Sequence, residues 1–284
     1  MKFLVLGASG MAGHVICIYL KEKGHEVIGY SRREVTFVEC ISGDAKDTQK
    51  LKAVIENGKF DVVINAIGIL NQFAENDRAS AVFLNSYLPH FLAKTTADMR
   101  TRVFHMSTDC VFSGKVGSYT EKSLRDGESF YDRTKAMGEL EDNKNLTLRN
   151  SIVGPDINEN GIGLLNWFMK QDGEVNGYTH AMWTGLTTLQ LAKVMEAAAE
   201  NGATGLVNMV YKDNISKYEL LKLFSHYIRN DNVTVNPFEG FSADKTLVRT
   251  NFEFDYEIPR YEVMVSEMAD WMRAHSDLYP HYKL

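Results

Sequence analysis

The first 150 residues alternate short apolar runs with longer amphipathic segments, a pattern that predicts strands and helices in turn. Strands are predicted at residues 3–6, 26–30, 36–40, 61–66, 102–107 and 146–149. Helices are predicted at residues 11–23, 48–57, 78–98 and 131–140, with an interruption near Pro89 in the third of them. Strands that alternate with helices indicate an α/β fold, with a doubly wound parallel sheet covered by helices on both faces.

In the second half of the chain, predicted strands and helices alternate less regularly. Helices are predicted at residues 161–171, 188–200, 216–229 and 263–275, a strand at 205–210, and irregular structure at 246–254. We therefore expect one domain at residues 1–150 and a smaller C-terminal α/β lobe at 151–284, above the carboxyl edge of the sheet. Within that lobe, residues 184–210 are a segment that could return to the main sheet.

Three glycines follow the first predicted strand at intervals of three: Gly7, Gly10 and Gly13. The first allows a tight bend, the second lets the backbone approach a ligand, and the third lets the next helix pack closely on its strand. The amides that begin this helix are unpaired and carry the positive end of its dipole, so a pyrophosphate fits there. The order of strand, glycine turn and helix predicts a Rossmann-type dinucleotide site. The alternative is a glycine turn that serves only strand–helix packing.

The end of the second predicted strand bears on which dinucleotide is preferred. An acidic residue there would favour NAD, because it binds the ribose 2′-hydroxyl. The chain instead has Ser31, Arg32 and Arg33, and two guanidiniums can clamp a 2′-phosphate. We expect NADP(H) to be preferred over NAD(H); the alternative is a solvated surface pair. Asp44, after the third strand, either accepts a hydrogen bond from adenine or holds a turn.

The chemistry is expected from Thr108, at the end of a strand, and from Tyr131 and Lys135 on the helix that follows. Residues four apart on a helix share a face. A free tyrosine has a pKa of about 10, too high for efficient proton exchange at neutral pH, and a nearby ammonium lowers that value. Thr108 could then hydrogen-bond a reacting carbonyl. The Tyr-x-x-x-Lys spacing by itself is common on solvated helix faces, and it gains weight from the glycine turn.

Composition excludes several classes of protein. The net charge is −6 and no long basic run occurs, which argues against nucleic acid or an anionic membrane as the main partner. No run approaches the roughly 20 apolar residues of a membrane span, and no signal-peptide pattern is found. The three cysteines, Cys17, Cys40 and Cys110, are widely spaced without a C-x-x-C pattern. We therefore expect free thiols, a cytoplasmic protein and no metal site.

Together these motifs resemble the extended short-chain dehydrogenase/reductase superfamily, and within it the dTDP-4-dehydrorhamnose reductase family of sugar-nucleotide reductases. The resemblance is carried by residues 107–114, Tyr119-x-Glu121, residues 131–139, residues 65–68 and Asn85. It implies that hydride from a nicotinamide reduces a 4-keto group on a nucleotide-activated 6-deoxysugar. It also implies the positions of the site residues. Tyr131 would protonate the alkoxide, Lys135 would tune that tyrosine and bind the nicotinamide ribose, and Thr108 would orient the carbonyl; the cofactor would be held by Gly7, Gly10, Met11, Gly13, Ala66, Gly68 and Asn85.

The chain departs from the family pattern at several positions. Cys110 stands where the family usually has tyrosine, Asp132 where it has glycine, and Ile152 where it often has tryptophan. An arginine–proline pair that helps to grip the diphosphate is expected near residues 241–249, where only Lys245 or Arg249 could substitute. Further candidates for the substrate pocket are Asp109, Asn166, Tyr178 and Trp183, although aromatic residues in such places more often belong to a core.

The leading hypothesis is an NADPH-dependent reductase of a nucleotide-sugar substrate, and a homodimer is compatible with the sequence. The first alternative is an epimerase or dehydratase of the same superfamily. A dehydratase needs further acid and base groups near the threonine; Asp109 is present, but the expected glutamate beside it is not. The second alternative is a non-catalytic NADP-binding regulatory subunit.

Overall fold

The computed structural model describes residues 1–284. Its strands are β1 (Lys2–Leu6), β2 (Glu26–Ser31), β3 (Glu39–Ser42), β4 (Val62–Asn65), β5 (Arg102–Met106), β6 (Leu146–Arg149), β7 (Ser151–Val153), β8 (Gly173–Trp183), β9 (Gly185–Thr187), β10 (Gly205–Asn208), β11 (Ile215–Ser216) and β12 (Val233–Asp244). Seven of them form one parallel sheet in the order β10, β6, β5, β4, β1, β2, β3. The predicted α/β fold is therefore confirmed. Because the order reverses between β1 and β4, a crevice forms at their carboxyl ends.

Helices cover both faces of this sheet. They are α1 (Met11–Glu22), α2 (Thr48–Gly58), α3 (Asn71–Asn76), α4 (Arg78–Ala81), α5 (Leu88–Thr95), α6 (Phe130–Met137), α7 (Leu164–Met169), α8 (Thr188–Glu200), α9 (Lys217–Arg229) and α10 (Tyr261–Ala274). The larger apolar core includes side chains of α1, α8 and α10, and the smaller one includes side chains of α2 and α5. None of the helices is both long and apolar enough to span a membrane.

The long helix expected at residues 78–98 is helical across Pro89, which does not break it. Between α4 and α5 the chain forms a π-helical segment, Val82–Tyr87, and Pro89 then lies in the first turn of α5. A proline removes one backbone donor and crowds the carbonyl four residues earlier, and the wider π turn relieves both. The third strand also differs from its predicted position, because its pairing with β2 begins at Glu39.

A second, three-stranded sheet in the order β11, β8, β12 was not anticipated from the sequence. β12 is largely exposed and contains Pro237 and Gly240, so its residues lack the alternation that marks a half-buried strand. It is held in register by parallel pairing with β8, from Val233 opposite Gly173 to Asp244 opposite Met182. The strand β10, by contrast, pairs with β6 and so places residues 205–208 in the main sheet.

Candidate active site

The glycine turn lies between β1 and α1, at the crevice of the main sheet. Gly7 has φ +84°, and its amide donates to the Tyr30 carbonyl over 2.9 Å. A Cβ at Gly13 would lie 2.1 Å from the Gly7 carbonyl oxygen, so α1 can begin at this distance from the turn only with glycine there. Met11 opens α1 and packs against Gly163, where a Cβ would meet the Met11 sulfur at 2.9 Å. The local sequence therefore dictates a tight strand–helix turn, in which the first amides of α1 lack intrahelical partners.

A cavity of about 320 Å³ extends from this turn across the carboxyl ends of β2, β3 and β4. This volume is within the range of small-molecule sites. The lining includes Gly7, Gly10, Ser31, Arg32, Asp44, Ala66 and Gly68 among the residues proposed from the sequence, together with Ser9, Tyr30, Lys46, Asp77 and Ser80, which were not. The turn, the unpaired α1 amides and the cavity that they border fit the pyrophosphate of a dinucleotide.

At the far end of this cavity the two arginines differ. Arg32 lines the cavity, whereas Arg33 is exposed outside it and its carbonyl accepts a hydrogen bond from Ser31. Lys46 adds a second cation. Its backbone amide donates to the Asp44 carboxylate over 2.9 Å, and its side-chain ammonium donates to the Ser80 hydroxyl. No motif marks Lys46 in the sequence, because it reaches the cavity only through the turn after β3.

Asn85 does not line the cavity but clamps its wall. Its side chain accepts from the Ile69 amide over 2.8 Å and donates to the Ile69 carbonyl over 2.9 Å and to Thr134 over 3.1 Å. All of these bonds tie the π-helical segment to the loop after β4 and to α6. The side chain is fully buried behind the cavity wall, which corrects the direct cofactor contact expected from the sequence.

Thr108, Tyr131 and Lys135 meet at the carboxyl end of β5. The Thr108 hydroxyl donates to Asp109 over 3.0 Å and accepts from the Cys110 amide over 3.2 Å. Tyr131 is only 6% exposed and packs on Ala74 and Ala81. A capping box between Ser129 and Asp132 begins α6, which gives a structural reason for aspartate after the tyrosine. The predicted residues are thus brought together at the carboxyl edge of the sheet that also carries the glycine turn.

The electrostatics of this group differ from the expectation. Burial raises the pKa of Tyr131 far above its ordinary value, the charges of Cys110 and Asp109 raise it further, and the Thr108 hydroxyl opposes them. The Lys135 ammonium donates to the Met106 carbonyl over 2.6 Å, and burial lowers its pKa to about 8. The pKa of Tyr131 therefore stays above its ordinary value, so the tyrosine keeps its proton at neutral pH.

Two further lysines approach the same place from the C-terminal half. Lys217 opens α9, and its ammonium lies 5.2 Å from the centre of the Trp183 ring. Burial lowers the pKa of Lys217 to about 8, and the charge of Asp109 opposes this shift. Lys245, just after β12, lies 3.8 Å from the Asp132 carboxylate. Lys217 carries no local sequence signal, because only the packing of α9 brings it to Asp109.

The structure corrects most of the substrate contacts expected from the sequence. Asn166 is fully buried and donates to the carbonyls of Glu159 and Gly161. Trp183 is 3% exposed and packs on Tyr261, so it belongs to the core, which was the alternative to a substrate contact. Arg249 has its guanidinium taken by the carbonyls of Asn251, Phe254 and Tyr256, because it holds its own loop closed. Among these three residues and Tyr178, only Tyr178 is exposed, at 40%.

Two glutamates support the strand ends that carry this site. Glu139 accepts from Arg149 over 2.6 Å and 2.8 Å and from the Ser107 hydroxyl over 2.5 Å. Glu121 accepts from the amides of Asn208 and Thr250. These motif residues therefore hold β5, β6 and β10 together beside Thr108, and none of them faces the cavity.

Comparison with known proteins agrees with this architecture. Over 144 residues the chain is 33% identical to a probable low-salt glycan biosynthesis reductase of Haloferax volcanii, covering 49% of this chain and 48% of that protein. It is 30% identical over 141 residues to methionine adenosyltransferase 2 subunit beta of Xenopus laevis, covering 49% and 41%. A dTDP-4-keto-6-deoxy-D-glucose reductase of Streptomyces niveus is 24% identical over 83% of this chain and 82% of its own length. Apart from this longer match of lower identity, the chain spans about half the length of the curated relatives it matches.

Solved structures share the fold. A dTDP-4-dehydrorhamnose reductase of Clostridium acetobutylicum superposes with a TM-score of 0.79 at 22% identity, over 96% of this chain and 100% of that one. The Bacillus anthracis protein of the same name, in complex with NADP, gives 0.78 at 17% identity, over 94% and 98%. The family described as RmlD substrate binding domain matches residues 1–250. Since this match covers most of the sequence, the chain belongs to the RmlD substrate binding domain family.

Proposed function

We propose that the protein uses NADPH to reduce a 4-keto group on a nucleotide-activated 6-deoxysugar. The observation that carries this proposal is the meeting of Thr108 and a buried, protonated Tyr131 at the carboxyl end of β5, in the same parallel sheet that carries the glycine turn. The names of two relatives support the same chemistry, since both are called reductases and one acts on a dTDP-linked keto-deoxysugar.

In this proposal the residues have distinct tasks. A bound nicotinamide supplies the hydride. The Thr108 hydroxyl turns from Asp109 to donate a hydrogen bond to the substrate carbonyl, and Tyr131 donates its phenolic proton to the same oxygen. Reduction needs a protonated acid, and the raised pKa of Tyr131 favours that form. Burial of this tyrosine also excludes water from the oxygen it serves.

The test is consumption of NADPH with 4-keto-6-deoxysugars linked to dTDP, UDP and GDP. Tyr131→Phe should lower kcat by about 10²–10⁴-fold while NADPH still binds, because only the proton donor is removed. The control is Tyr87→Phe, at an exposed tyrosine. Retained turnover in Tyr131→Phe refutes the proposed acid. Tight NADPH binding without turnover of any substrate favours a non-catalytic regulatory subunit instead, and net inversion without NADPH consumption favours an epimerase.

Preference for NADP(H) is proposed from the cations at the far end of the cavity, Arg32 and Lys46. Arg32→Ser should weaken NADPH binding by at least about tenfold and leave NADH binding nearly unchanged, since one charge-assisted contact to the 2′-phosphate is lost. Arg33→Ser, which removes the same charge outside the cavity, is the matched control. Equal losses for both coenzymes, or a larger loss in the control, contradict the assignment.

We also propose that the phosphates of the substrate approach Lys217 and Lys245. Both ammoniums face the Thr108 end of the site, and neither donates a hydrogen bond in the structure. Lys245→Met should raise KM for the sugar nucleotide more than it lowers kcat, because it removes a binding charge away from the reacting carbon. An unchanged KM would exclude Lys245 from the substrate site.

A further inference from the structure

Two buried hydrogen bonds join the tail after α10, residues 275–284, to the glycine turn. His14 on α1 lies between them, with its Nδ1 2.9 Å from the Gly10 carbonyl oxygen and its Nε2 2.7 Å from the Tyr279 hydroxyl. His14 is 0% exposed and Tyr279 is 1% exposed, so water does not compete for these atoms. The proposed reduction gives neither side chain a task.

The partners of His14 select one form of its ring. A carbonyl oxygen can only accept a hydrogen bond, so Nδ1 must carry a proton. Burial lowers the pKa of His14 to about 4, which keeps the ring neutral and leaves Nε2 as an acceptor. Burial also raises the pKa of Tyr279, so its hydroxyl keeps the proton that it donates to Nε2. The two hydrogen bonds therefore run in one direction, from Tyr279 through His14 to the Gly10 carbonyl.

The Gly10 carbonyl shares a peptide unit with the Met11 amide. This unit is planar and trans, so its carbonyl and its N–H point in opposite directions. The carbonyl also accepts from the His14 amide over 3.1 Å, which aligns it with the axis of α1. The Met11 N–H therefore points out of the helix N-terminus, where it has no backbone acceptor. A second donor on the carbonyl polarises the peptide unit and strengthens this N–H as a donor.

The Met11 amide is one of the donors that the glycine turn offers to a phosphate group. We propose that Tyr279 and His14 are positioning residues, which aim the Met11 amide at the pyrophosphate of the nicotinamide dinucleotide. The identity of this ligand rests on the proposed function. Because the amide is held in place before the ligand arrives, less conformational freedom is lost on binding.

The tail also contains a matched control. Tyr282 is 8% exposed, and its hydroxyl accepts from the Asp156 amide over 2.9 Å and donates to the Asn166 side chain over 2.8 Å. Tyr279→Phe and Tyr282→Phe each remove one hydroxyl from the same tail and keep the ring, but only the first change breaks the link to the glycine turn. A general loosening of the tail would therefore affect both variants.

The experiment measures the binding of NADPH and of adenosine 2′-monophosphate, which has the ribose 2′-phosphate but no pyrophosphate. In Tyr279→Phe the His14 ring loses the hydroxyl that fixes its orientation, so the affinity for NADPH should fall by about two- to tenfold. The affinity for adenosine 2′-monophosphate should not change, and Tyr282→Phe should leave the binding of both ligands unaffected. Unchanged NADPH affinity in Tyr279→Phe, equal losses for the two ligands, or an equal loss in Tyr282→Phe overturns the proposal.

A second measurement needs neither a variant nor a ligand. The ring nitrogen shifts of His14 report its tautomer, and we expect the proton on Nδ1 at neutral pH. A proton on Nε2 overturns the proposal, because Nδ1 could not then donate to the Gly10 carbonyl. If the parent protein binds no NADPH, the proposed function fails as well; if the parent and Tyr279→Phe bind NADPH equally well, only the positioning role fails.

Discussion

The buried ion pair between Glu139 and Arg149 allows a quantitative prediction. Their side chains are 1% and 0% exposed, and Arg149 makes two of the hydrogen bonds to the carboxylate. Removing one partner of such a pair costs about 3–5 kcal/mol, and loss of Arg149 leaves the buried carboxylate with the partly exposed Arg125 as its remaining charged partner. The Arg149 guanidinium also lies 5.0 Å from the centre of the Phe112 ring, a contact worth roughly 1 kcal/mol. Arg149→Met should therefore lower the free energy of unfolding by about 4 kcal/mol.

The chain contains a matched control for this change. Arg125 binds the same Glu139 carboxylate, but its side chain is 26% exposed, so solvent screens the pair. Arg125→Met should cost only about 0–1 kcal/mol. The assay is urea unfolding of the parent protein and both variants, fitted with one common slope of unfolding free energy against urea concentration. Because only the Arg149 change leaves the carboxylate without a fully buried partner, equal costs for the two variants would refute the reasoning.

The pH dependence of the same pair has a definite sign. Despite burial, hydrogen bonds from Arg149 and its charge hold the pKa of Glu139 below its ordinary value. A carboxyl whose pKa is lower in the folded state contributes stability above its unfolded pKa of about 4.3, and this is lost as the pH falls. The difference in stability between the parent protein and Arg149→Met should therefore shrink in acid, and a difference that grows in acid would contradict this origin.

Three further predictions concern other parts of the chain. Burial lowers the pKa of His14 to about 4, below the ordinary value of 6.5 that it has in the unfolded chain. As the pH falls from 6.5 to 5, the unfolded chain therefore binds a proton that the folded protein does not, and about 2 kcal/mol of stability is lost. His14→Phe should flatten that part of the unfolding profile, and an unchanged slope contradicts the assignment. Gly13→Ala should weaken NADPH binding at least about tenfold in a fluorescence titration, since its Cβ would displace the Gly7 carbonyl; unaltered affinity would count against it. Arg249→Met should cost about 2 kcal/mol of stability but leave KM for substrate within about twofold, whereas a selective rise in KM would restore Arg249 as a substrate contact.

Most of the first half could be predicted because its structure depends on neighbours in sequence. Strand β6 has its predicted bounds, and α1 and β5 lie within one residue of theirs at each end. The exposed strand β12 could not be found in this way, because its pairing partner β8 lies about 60 residues earlier and its own side chains show no alternation.

The sequence alone determined the glycine turn, the parallel sheet and the motif that carries Thr108, Tyr131 and Lys135. Each depends on spacings of a few residues, which local backbone geometry converts directly into structure. Only the tertiary structure decided what surrounds these residues. It brought His105 against Lys135 and Lys217 toward Asp109, and it showed that Arg249 serves its own loop. Such contacts join distant segments, so their pKa shifts and hydrogen-bond partners exist only after the sheet and the C-terminal half have packed.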